Sequence, residues 1–229
     1  MNKLWYLSQI NIMEELTMED LQEIDRRAPM SETSKGTVIS SPERPQRSLY
    51  LLKKGKVRLY KLNREGKEFT LGILGSGNFF GEVESFSTGT QDTYVETMED
   101  SLLCVLNRKD FEEFMRERPQ LAIKMVQVMT QRLREAEEML ETMAYGSVEK
   151  RLLHLLSKLA PNFGTKKGEY MEFDLRLSHQ DLAAMIGATR ETVSATISNL
   201  TRQGVIAKSS NKKMIRIHIE KMREAIDFG

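Results

Sequence analysis

The feature that most constrains the fold is a stripe of apolar residues between positions 126 and 143. Its members recur at alternating spacings of three and four residues: Val126, Met129, Leu133, Ala136, Leu140 and Met143. That spacing is typical of one face of a long α-helix that packs along a second helix, as in a coiled coil. We therefore expect a single helix from about 120 to 145 in the middle of the chain.

Two kinds of partner could cover this stripe, a hydrophobic core of the same chain or the same helix of a second copy. Polar side chains flank the stripe and leave few apolar residues for any further contact: Gln131, Arg132, Arg134, Glu135, Glu137 and Glu138. Burying each large apolar residue is worth ~1.5–3 kcal/mol, so a stripe left in water would be costly. A second copy is the simplest cover, and we expect a homodimer with this stripe as its seam.

The segment before this helix has the texture of short antiparallel strands. Runs rich in β-branched and aromatic residues alternate with Gly, Pro and Asn turns, and the predicted strands are 48–52, 56–62, 68–74, 93–98 and 102–106. Strands at this spacing indicate an antiparallel sandwich or roll. After Arg108 the β texture stops, so the chain is expected to be of the α+β class.

The totals fit two modest soluble domains. The 229 residues are 40% apolar and 29% charged, which excludes a disordered chain. Neither a membrane-spanning run nor a signal peptide is recognisable, so we expect a cytoplasmic protein without membrane contact. The single cysteine, Cys104, excludes an internal disulfide framework, and its apolar surroundings predict a buried structural thiol.

The net charge of +1 conceals an asymmetry along the chain. Residues 150–229 carry 14 basic against 8 acidic side chains, whereas residues 1–149 carry 20 against 25. A basic module joined to an acidic one suggests nucleic-acid binding by the C-terminal part, although a solvated surface would have the same imbalance.

The C-terminal part contains the signals of a helix-turn-helix. Ser178 and Asp181 have the spacing of a capping box, and Gly187 supplies a left-handed residue that can end the helix. Thr189 can cap a second helix after a turn of only a few residues, as this motif requires. In the second helix, Val193, Ile197 and Leu200 share one face, which we expect to be buried.

The opposite face of the second helix carries the candidate base readers, Arg190, Glu191, Ser194 and Ala195, with Thr189 at its start. Arginine can bridge the two acceptors of guanine and glutamate can accept from cytosine, so a half-site with G·C pairs is expected. His179 and Gln180, which begin the first helix, are placed to touch the DNA backbone. The alternative is that these residues are only surface polar groups.

Two short strands follow the second helix and are joined by a basic segment. The strands are expected at 204–207 and 214–217, with Lys212 and Lys213 near the tip between them. A β-hairpin with a cationic tip is a wing that can lie over phosphate. The C-terminal part is therefore predicted to be a winged helix-turn-helix that binds double-stranded DNA.

Nearly the whole chain resembles the cyclic-AMP receptor / fumarate-nitrate reductase regulator family of bacterial transcription factors. The residues that carry the resemblance are 189–193 (TRETV), 77–82 (GNFFGE) and the long helix between these two motifs. The resemblance implies a jelly-roll sensor domain like those that bind cyclic nucleotides (1–118), a dimerisation helix and hinge (119–146) and a winged helix-turn-helix (147–229). It also implies a homodimer that reads a palindrome, with Arg190 and Glu191 among the readers. Ala195 departs from the family, which often has arginine there, so we expect an altered half-site.

The sensor departs from the family pattern for cyclic AMP. The resemblance places Asp92-Thr93 where cyclic-nucleotide binders have Arg-Ser, and Ala136-Glu137 where they have Thr-Ser. A carboxylate repels a cyclic phosphate, so cyclic AMP is not expected. An iron-sulfur cluster would need more cysteines, and haem-binding relatives use a sensor histidine that this chain lacks. A residual effector pocket is expected at Glu82, Thr90, Asp92, Thr93, Arg132 and Ala136; alternatively the protein acts without an effector.

Three functions remain at the level of the sequence. The first is an activator that contacts RNA polymerase; the family resemblance suggests that contact for residues 163–168, within the loop expected at 161–168, or for the turn at 63–66. The second is an effector-dependent repressor with the same fold. A cupin-like enzyme is the remote third, because it needs a histidine-carboxylate metal set and no histidine precedes His154. We therefore expect no metal site and no catalytic residue.

Overall fold

The computed structural model describes residues 17–28, 30–83, 86–90, 92–117, 119–208 and 215–227. The chain divides into two compact units between Ala136 and Glu137. This division lies inside the long central helix, which begins in the first unit and ends in the second. Each unit is described by itself.

The first unit contains an antiparallel roll. Its elements are α1 (Met18–Arg27), β1 (Met30–Thr33), β2 (Val38–Ser40), β3 (Leu49–Lys54), β4 (Lys56–Leu62), β5 (Glu68–Gly75), β6 (Phe79–Val83), β7 (Phe86–Ser87), β8 (Tyr94–Thr97), β9 (Ser101–Leu106), α2 (Arg108–Glu117) and the first part of α3 (Pro119–Tyr145). One sheet has the order β1-β9-β3-β6-β7 and the other the order β2-β8-β4-β5. All strand pairs in both sheets are antiparallel, which confirms the predicted α+β class with an N-terminal roll.

The alternation of side chains along β3 explains how the roll is built. Tyr50 and Leu52 belong to an apolar cluster shared with the second sheet, whose members include Val57, Leu59, Leu71, Leu74 and Val95. Leu49 and Leu51 point to the opposite face, where they join a cluster with Phe111, Phe114 and Met125 of α2 and α3. Because both faces of β3 are covered, its sequence is a continuous apolar run and not an alternating one.

Cys104 is fully buried in the second of these clusters, between the sheet and the helices. Burial raises the pKa of its thiol, which keeps the sulfur in its unreactive neutral form. The prediction of a structural thiol is confirmed.

Four strands of the roll were not predicted: β1, β2, β6 and β7. The first, second and last contain only two to four residues, too few for a period to be recognised. In β6, Gly81 hides the pattern, since it adopts φ +103° and a Cβ there would lie 2.2 Å from the carbonyl oxygen of Ser48. Glycine is needed at this position because the neighbouring backbone approaches so closely.

The second unit is a small helical domain with one sheet. After the end of α3 come α4 (Val148–Phe163), β10 (Gly164–Lys167), β11 (Tyr170–Phe173), α5 (His179–Ile186), α6 (Arg190–Arg202), β12 (Ile206–Lys208), β13 (Ile215–His218) and α7 (Ile219–Asp227). The sheet has the order β10-β11-β13-β12. Leucines at 152, 153, 155, 156 and 159 form the buried side of α4.

One prediction for this unit is wrong. The loop expected at 161–168 is the last turn of α4 followed by β10. Proline usually ends a helix, but Pro161 lies in the final turn of α4, and the helix continues to Phe163, which is 6% exposed. The burial of this aromatic ring outweighs the break that proline indicates. The helix α7, which no sequence signal had suggested, closes the unit.

Candidate nucleic-acid interface

The first helix of the motif, α5, begins and ends as predicted. Ser178 accepts a hydrogen bond from the backbone N–H of Asp181 (3.1 Å), and the Asp181 carboxylate accepts one from the N–H of Ser178 (2.7 Å). Gly187 adopts the left-handed conformation (φ +63°), and its N–H donates to the carbonyl of Ala183. This capping box and C-cap fix α5 at eight residues.

Three residues separate the second helix, α6, from the end of α5. The Thr189 side chain caps it by accepting from the N–H of Thr192 at 3.2 Å. Val193 and Leu200 are completely buried, whereas Ile197 is only half-buried. The buried face is therefore confirmed at two of its three predicted positions. It holds α6 with its opposite face outward.

Arg190, Glu191 and Ala195 are exposed on the N-terminal half of α6. Neither the Arg190 guanidinium nor the Glu191 carboxylate takes part in a hydrogen bond or ion pair in the part of the chain that the structure describes. Gln180 is likewise exposed on the first turn of α5. These side chains are free to meet an external ligand, and the first turn of a recognition helix is where base edges are contacted.

Ser194 and His179 differ from the prediction, because the structure brings them together. Nδ1 of His179 lies 2.7 Å from Oγ of Ser194, and Ser194 is half-buried. No sequence signal paired them, since they lie on different helices and are 15 positions apart. Only the packing of α5 against α6 makes them neighbours.

The strands of the predicted wing are present. β12 and β13 pair antiparallel, with Ile206 opposite Ile217. β11 pairs with the other edge of β13, and Arg216 stacks over the ring of Tyr170 at 4.3 Å. Lys212 and Lys213 lie outside the described residues, so their role at the tip stays a prediction.

The predicted effector pocket is only partly assembled. Thr90 and Thr93 are buried (6% and 1% exposed), and the N–H of Thr93 donates to the carbonyl of Thr90. Glu82 accepts a hydrogen bond from the hydroxyl of Ser87 at 2.9 Å. Asp92, by contrast, is exposed and adopts φ +59°. Ala136 is 5% exposed, and the side chain of Arg132 lies outside the described residues.

A cavity of about 570 Å³ lies elsewhere in the first unit, along α2 and α3. Its lining is largely apolar and comprises Phe86, Phe111, Glu112, Met115, Arg116, Ala122, Met125, Val126, Met129, Thr130 and Leu133. Among the predicted pocket residues whose side chains the structure describes, none lines it. Three of the six predicted seam residues do, namely Val126, Met129 and Leu133.

The six residues of the predicted seam differ in how far they are exposed in a single chain. Val126, Leu133 and Leu140 are exposed by 65%, 47% and 39%, which is unusual for large apolar side chains along one helix. Met129 packs partly on the core of the roll, and Ala136 is buried. Met143 is half-buried, and its sulfur lies 3.8 Å from a guanidinium nitrogen of Arg151.

The described residues contain neither a metal-binding cluster nor a membrane span. No three His, Cys, Asp or Glu side chains there are grouped closely enough to hold a metal ion. Among the same residues, no helix combines the length and apolar character that a membrane span requires.

Comparisons with known proteins agree with this architecture. A model of the cyclic nucleotide-binding domain matches residues 31–118, and a model of the Crp-like helix-turn-helix domain matches residues 150–224. The cyclic AMP receptor protein of Thermus thermophilus is 32% identical over 182 residues, which cover 80% of each chain. A global nitrogen regulator of Nostoc sp. is 30% identical over 193 residues, covering 83% of this chain and 86% of the relative.

A solved structure supports the fold independently. The structure of a CooA mutant from Carboxydothermus hydrogenoformans matches with a TM-score of 0.74, covering 95% of this chain and 94% of that one at 24% identity. The relatives of this fold are transcription regulators and not enzymes. Since the two family models together match most of the chain and a relative of 32% identity covers 80% of it, this chain belongs to the CRP/FNR family of transcription regulators and carries a DNA-binding helix-turn-helix.

Proposed function

We propose that the protein works as a homodimer whose two α6 helices read an inverted repeat in double-stranded DNA. The observation that carries this proposal is the state of Arg190 and Glu191. Both are exposed on the first turn of α6, and within the described chain neither is engaged by another side chain. The cap at Thr189 and the buried side chains on the opposite face of α6 fix the helix so that Arg190 and Glu191 point outward.

The chemistry of the exposed face suggests what each half-site contains. Arg190 can donate two hydrogen bonds to guanine, and Glu191 can accept one from the amino group of cytosine. Ala195 offers only a methyl group, which can contact the methyl of thymine. Thr189, His179 and Gln180 surround this face and can contact phosphate. Lys212 and Lys213 add positive charge from the wing.

A dimer explains the exposed apolar residues of α3. Val126, Leu133 and Leu140 follow a seven-residue repeat on one face. A second copy of α3 on this face would bury them and would also cover part of the neighbouring cavity. Such a two-fold pair would present its two α6 helices to successive major grooves, about 34–36 Å apart. An inverted repeat is the DNA counterpart of that symmetry.

We also propose that the sensor domain does not bind cyclic AMP, although one relative is named a cyclic AMP receptor protein. By the family resemblance, Asp92 lies where the family's cyclic-nucleotide binders have an arginine. Its carboxylate would repel a cyclic phosphate, and the buried hydroxyls of Thr90 and Thr93 carry no compensating positive charge. Haem and an iron-sulfur cluster are also not proposed. The chain has one cysteine, and its three histidines, His154, His179 and His218, belong to the second unit.

We further propose that the protein activates transcription by contacting RNA polymerase. Residues 163–168 include strand β10, an exposed edge strand of the sheet in the second unit, and such an edge can pair with an extended segment of a partner. In vitro transcription from a template carrying the selected site decides between activation and the repressor alternative. Increased transcript from the bound template supports activation, whereas decreased transcript assigns the repressor.

The main test is selection of bound sequences from random duplex DNA by the purified full-length protein without added ligand. We expect an inverted repeat with G·C pairs in each half. Arg190→Ala should lose preference at one guanine and weaken specific binding by ~1–3 kcal/mol, while binding to random DNA changes little. If specific and random DNA lose affinity equally in Arg190→Ala, then the base-reading role is wrong.

A further inference from the structure

The hydrogen bond between His179 and Ser194 links the first residue of α5 to the outer face of α6. At 2.7 Å between Nδ1 and Oγ, it is as short as a well-formed hydrogen bond to a hydroxyl. His179 is exposed and Ser194 is half-buried. The contact therefore lies at the rim of the DNA-facing surface and not in the core.

The hydroxyl of Ser194 has a different kind of hydrogen-bond partner from those of Thr196, Ser198 and Thr201 on the same helix. The side chains of Thr196, Ser198 and Thr201 donate back to the carbonyl four residues earlier in their own helix. That bond satisfies a hydroxyl locally and turns it away from any ligand. The Ser194 hydroxyl is instead bound by a side chain from another helix, which fixes its orientation.

The position of Ser194 gives this bond its importance. Ser194 lies four residues after Arg190, one turn further along α6, so the two side chains share the same stripe of the helix surface. Its neighbour Ala195 cannot form a hydrogen bond. Ser194 is thus the next hydrogen-bonding group along the groove after Arg190.

A serine hydroxyl has one hydrogen to donate and two lone pairs, so it can in principle meet any base edge. Binding to an imidazole removes that ambiguity. If Nδ1 accepts the hydroxyl hydrogen, only lone pairs are left for DNA, and they suit the amino groups of adenine or cytosine. If Nδ1–H donates, the hydroxyl hydrogen is left for N7 of a purine or O6 of guanine.

We propose that His179 is a positioning residue for base recognition: it holds the Ser194 hydroxyl in one orientation, so that Ser194 discriminates at one base pair of each half-site. This proposal rests on the proposed reading of DNA by α6. His179 itself needs no contact with that base. Its free Nε2 edge can still face the phosphate backbone.

The test compares base preferences of full-length variants by sequence selection and then by binding to single-base variants of the selected site. Ser194→Ala and His179→Ala should flatten preference at the same position by about threefold to tenfold, the usual worth of one neutral hydrogen bond. Preference at the guanine read by Arg190 should persist in both. The double variant should lose no more than either single variant, because both remove the same oriented hydroxyl.

Two further variants separate positioning from a structural role. His179→Asn places an amide close to where Nδ1 lies and should restore most of the preference. Thr196→Ala removes a hydroxyl that is bonded within its own helix and should leave every position unchanged. The thermal midpoint of each variant is measured in parallel.

The proposal is overturned if His179→Ala weakens binding to all sequences equally, or lowers only the thermal midpoint while the base preferences stay intact. It is also overturned if the two single variants affect different positions. Failure of the wild-type protein to select any inverted repeat would instead reject the proposed function, and the two outcomes cannot be confused.

Discussion

Arg151 of α4 donates a hydrogen bond of 3.0 Å from Nη1 to the backbone carbonyl of Ile186. Ile186 is the last residue of α5, where helix carbonyls have no partner within their own helix. One guanidinium therefore caps the first helix of the motif from outside. The recognition helix depends on α5 for its support, so this single contact ties α4 to the geometry of the DNA-facing surface.

We expect Arg151→Met to lower the free energy of unfolding by about 1.5–3 kcal/mol, the range for a hydrogen bond to a charged group. Methionine keeps most of the aliphatic stem, so lost packing contributes little. Urea unfolding followed by circular dichroism gives the value. Arg151→Lys is the matched control, since a lysine can still donate to the same carbonyl and should recover part of the loss. Equal stabilities of Arg151→Met and the wild type would show that this cap is unimportant.

The features that sequence could predict are those whose partners lie within a few residues. Ser178 and Asp181 are three positions apart, and Gly187 ends α5 by its own conformation, so the borders of α5 follow from local rules. The long periods of α3 and of the longer strands were recognisable for the same reason. These local signals place Arg190 and Glu191 on the first turn of α6.

The features that sequence missed depend on contacts between distant residues. Arg151 and Ile186 are 35 positions apart, and nothing near either residue marks the other. The same holds for His179 and Ser194. Strand β10 was missed because its sequence, Gly164–Lys167, is polar and exposed, and it becomes a strand only by pairing with β11. The apolar cavity beside α3 likewise requires the packing of α2, α3 and Phe86.

The exposed apolar face of α3 makes a specific prediction about assembly. Leu133→Asp should convert the dimer to monomers, because a carboxylate at the centre of a helix-helix seam would be buried without a partner. Sedimentation equilibrium of the purified variant measures this directly. Specific DNA binding should fall together with dimerisation, since a monomer engages only one half-site.

Val38→Asp is the control for this experiment. Val38 is exposed to the same extent as Leu133 (47% each) but lies on β2, away from the seam. It should leave the sedimentation behaviour and the DNA affinity unchanged. A Leu133→Asp protein that stays dimeric would rule out the proposed seam, whatever the control shows.

Asp92 provides a test of ligand exclusion in the sensor. We expect no binding of cyclic AMP to the wild-type protein in isothermal titration calorimetry. The double variant Asp92→Arg, Thr93→Ser should gain measurable binding, because a guanidinium pairs with the cyclic phosphate. The left-handed conformation at Asp92 costs arginine on the order of 1–2 kcal/mol, so the gained affinity should be modest.

Asp92→Asn separates the two effects of that change. Asparagine removes the negative charge and tolerates the left-handed conformation, but it supplies no cation. It should not bind cyclic AMP either. Tight binding of cyclic AMP to the wild-type protein would contradict the argument from Asp92 and would return the sensor to the cyclic-nucleotide class.

His154 of α4 makes the stability of the second unit depend on pH. Burial lowers the pKa of its imidazole, and the nearby Lys158 lowers it further, while Glu138 opposes them more weakly. Nε2 is buried without a hydrogen-bond partner among the described residues, so nothing there stabilises a second proton. Above the ordinary histidine pKa of about 6.5, both the folded and the unfolded chain are neutral at this site, and stability does not depend on it.

As pH falls through that value, His154 becomes protonated in the unfolded chain but stays neutral in the folded chain. The free energy of unfolding therefore decreases. The decrease ends once pH falls below the lowered pKa of the folded state. His154→Leu should therefore flatten the dependence of stability between about pH 7.5 and 5, as measured by urea unfolding at a series of pH values. The wild-type protein, unfolded at the same series of pH values, is the reference. If the free energy of unfolding of His154→Leu depends on pH as steeply as that of the wild type, then His154 is not the source of the dependence.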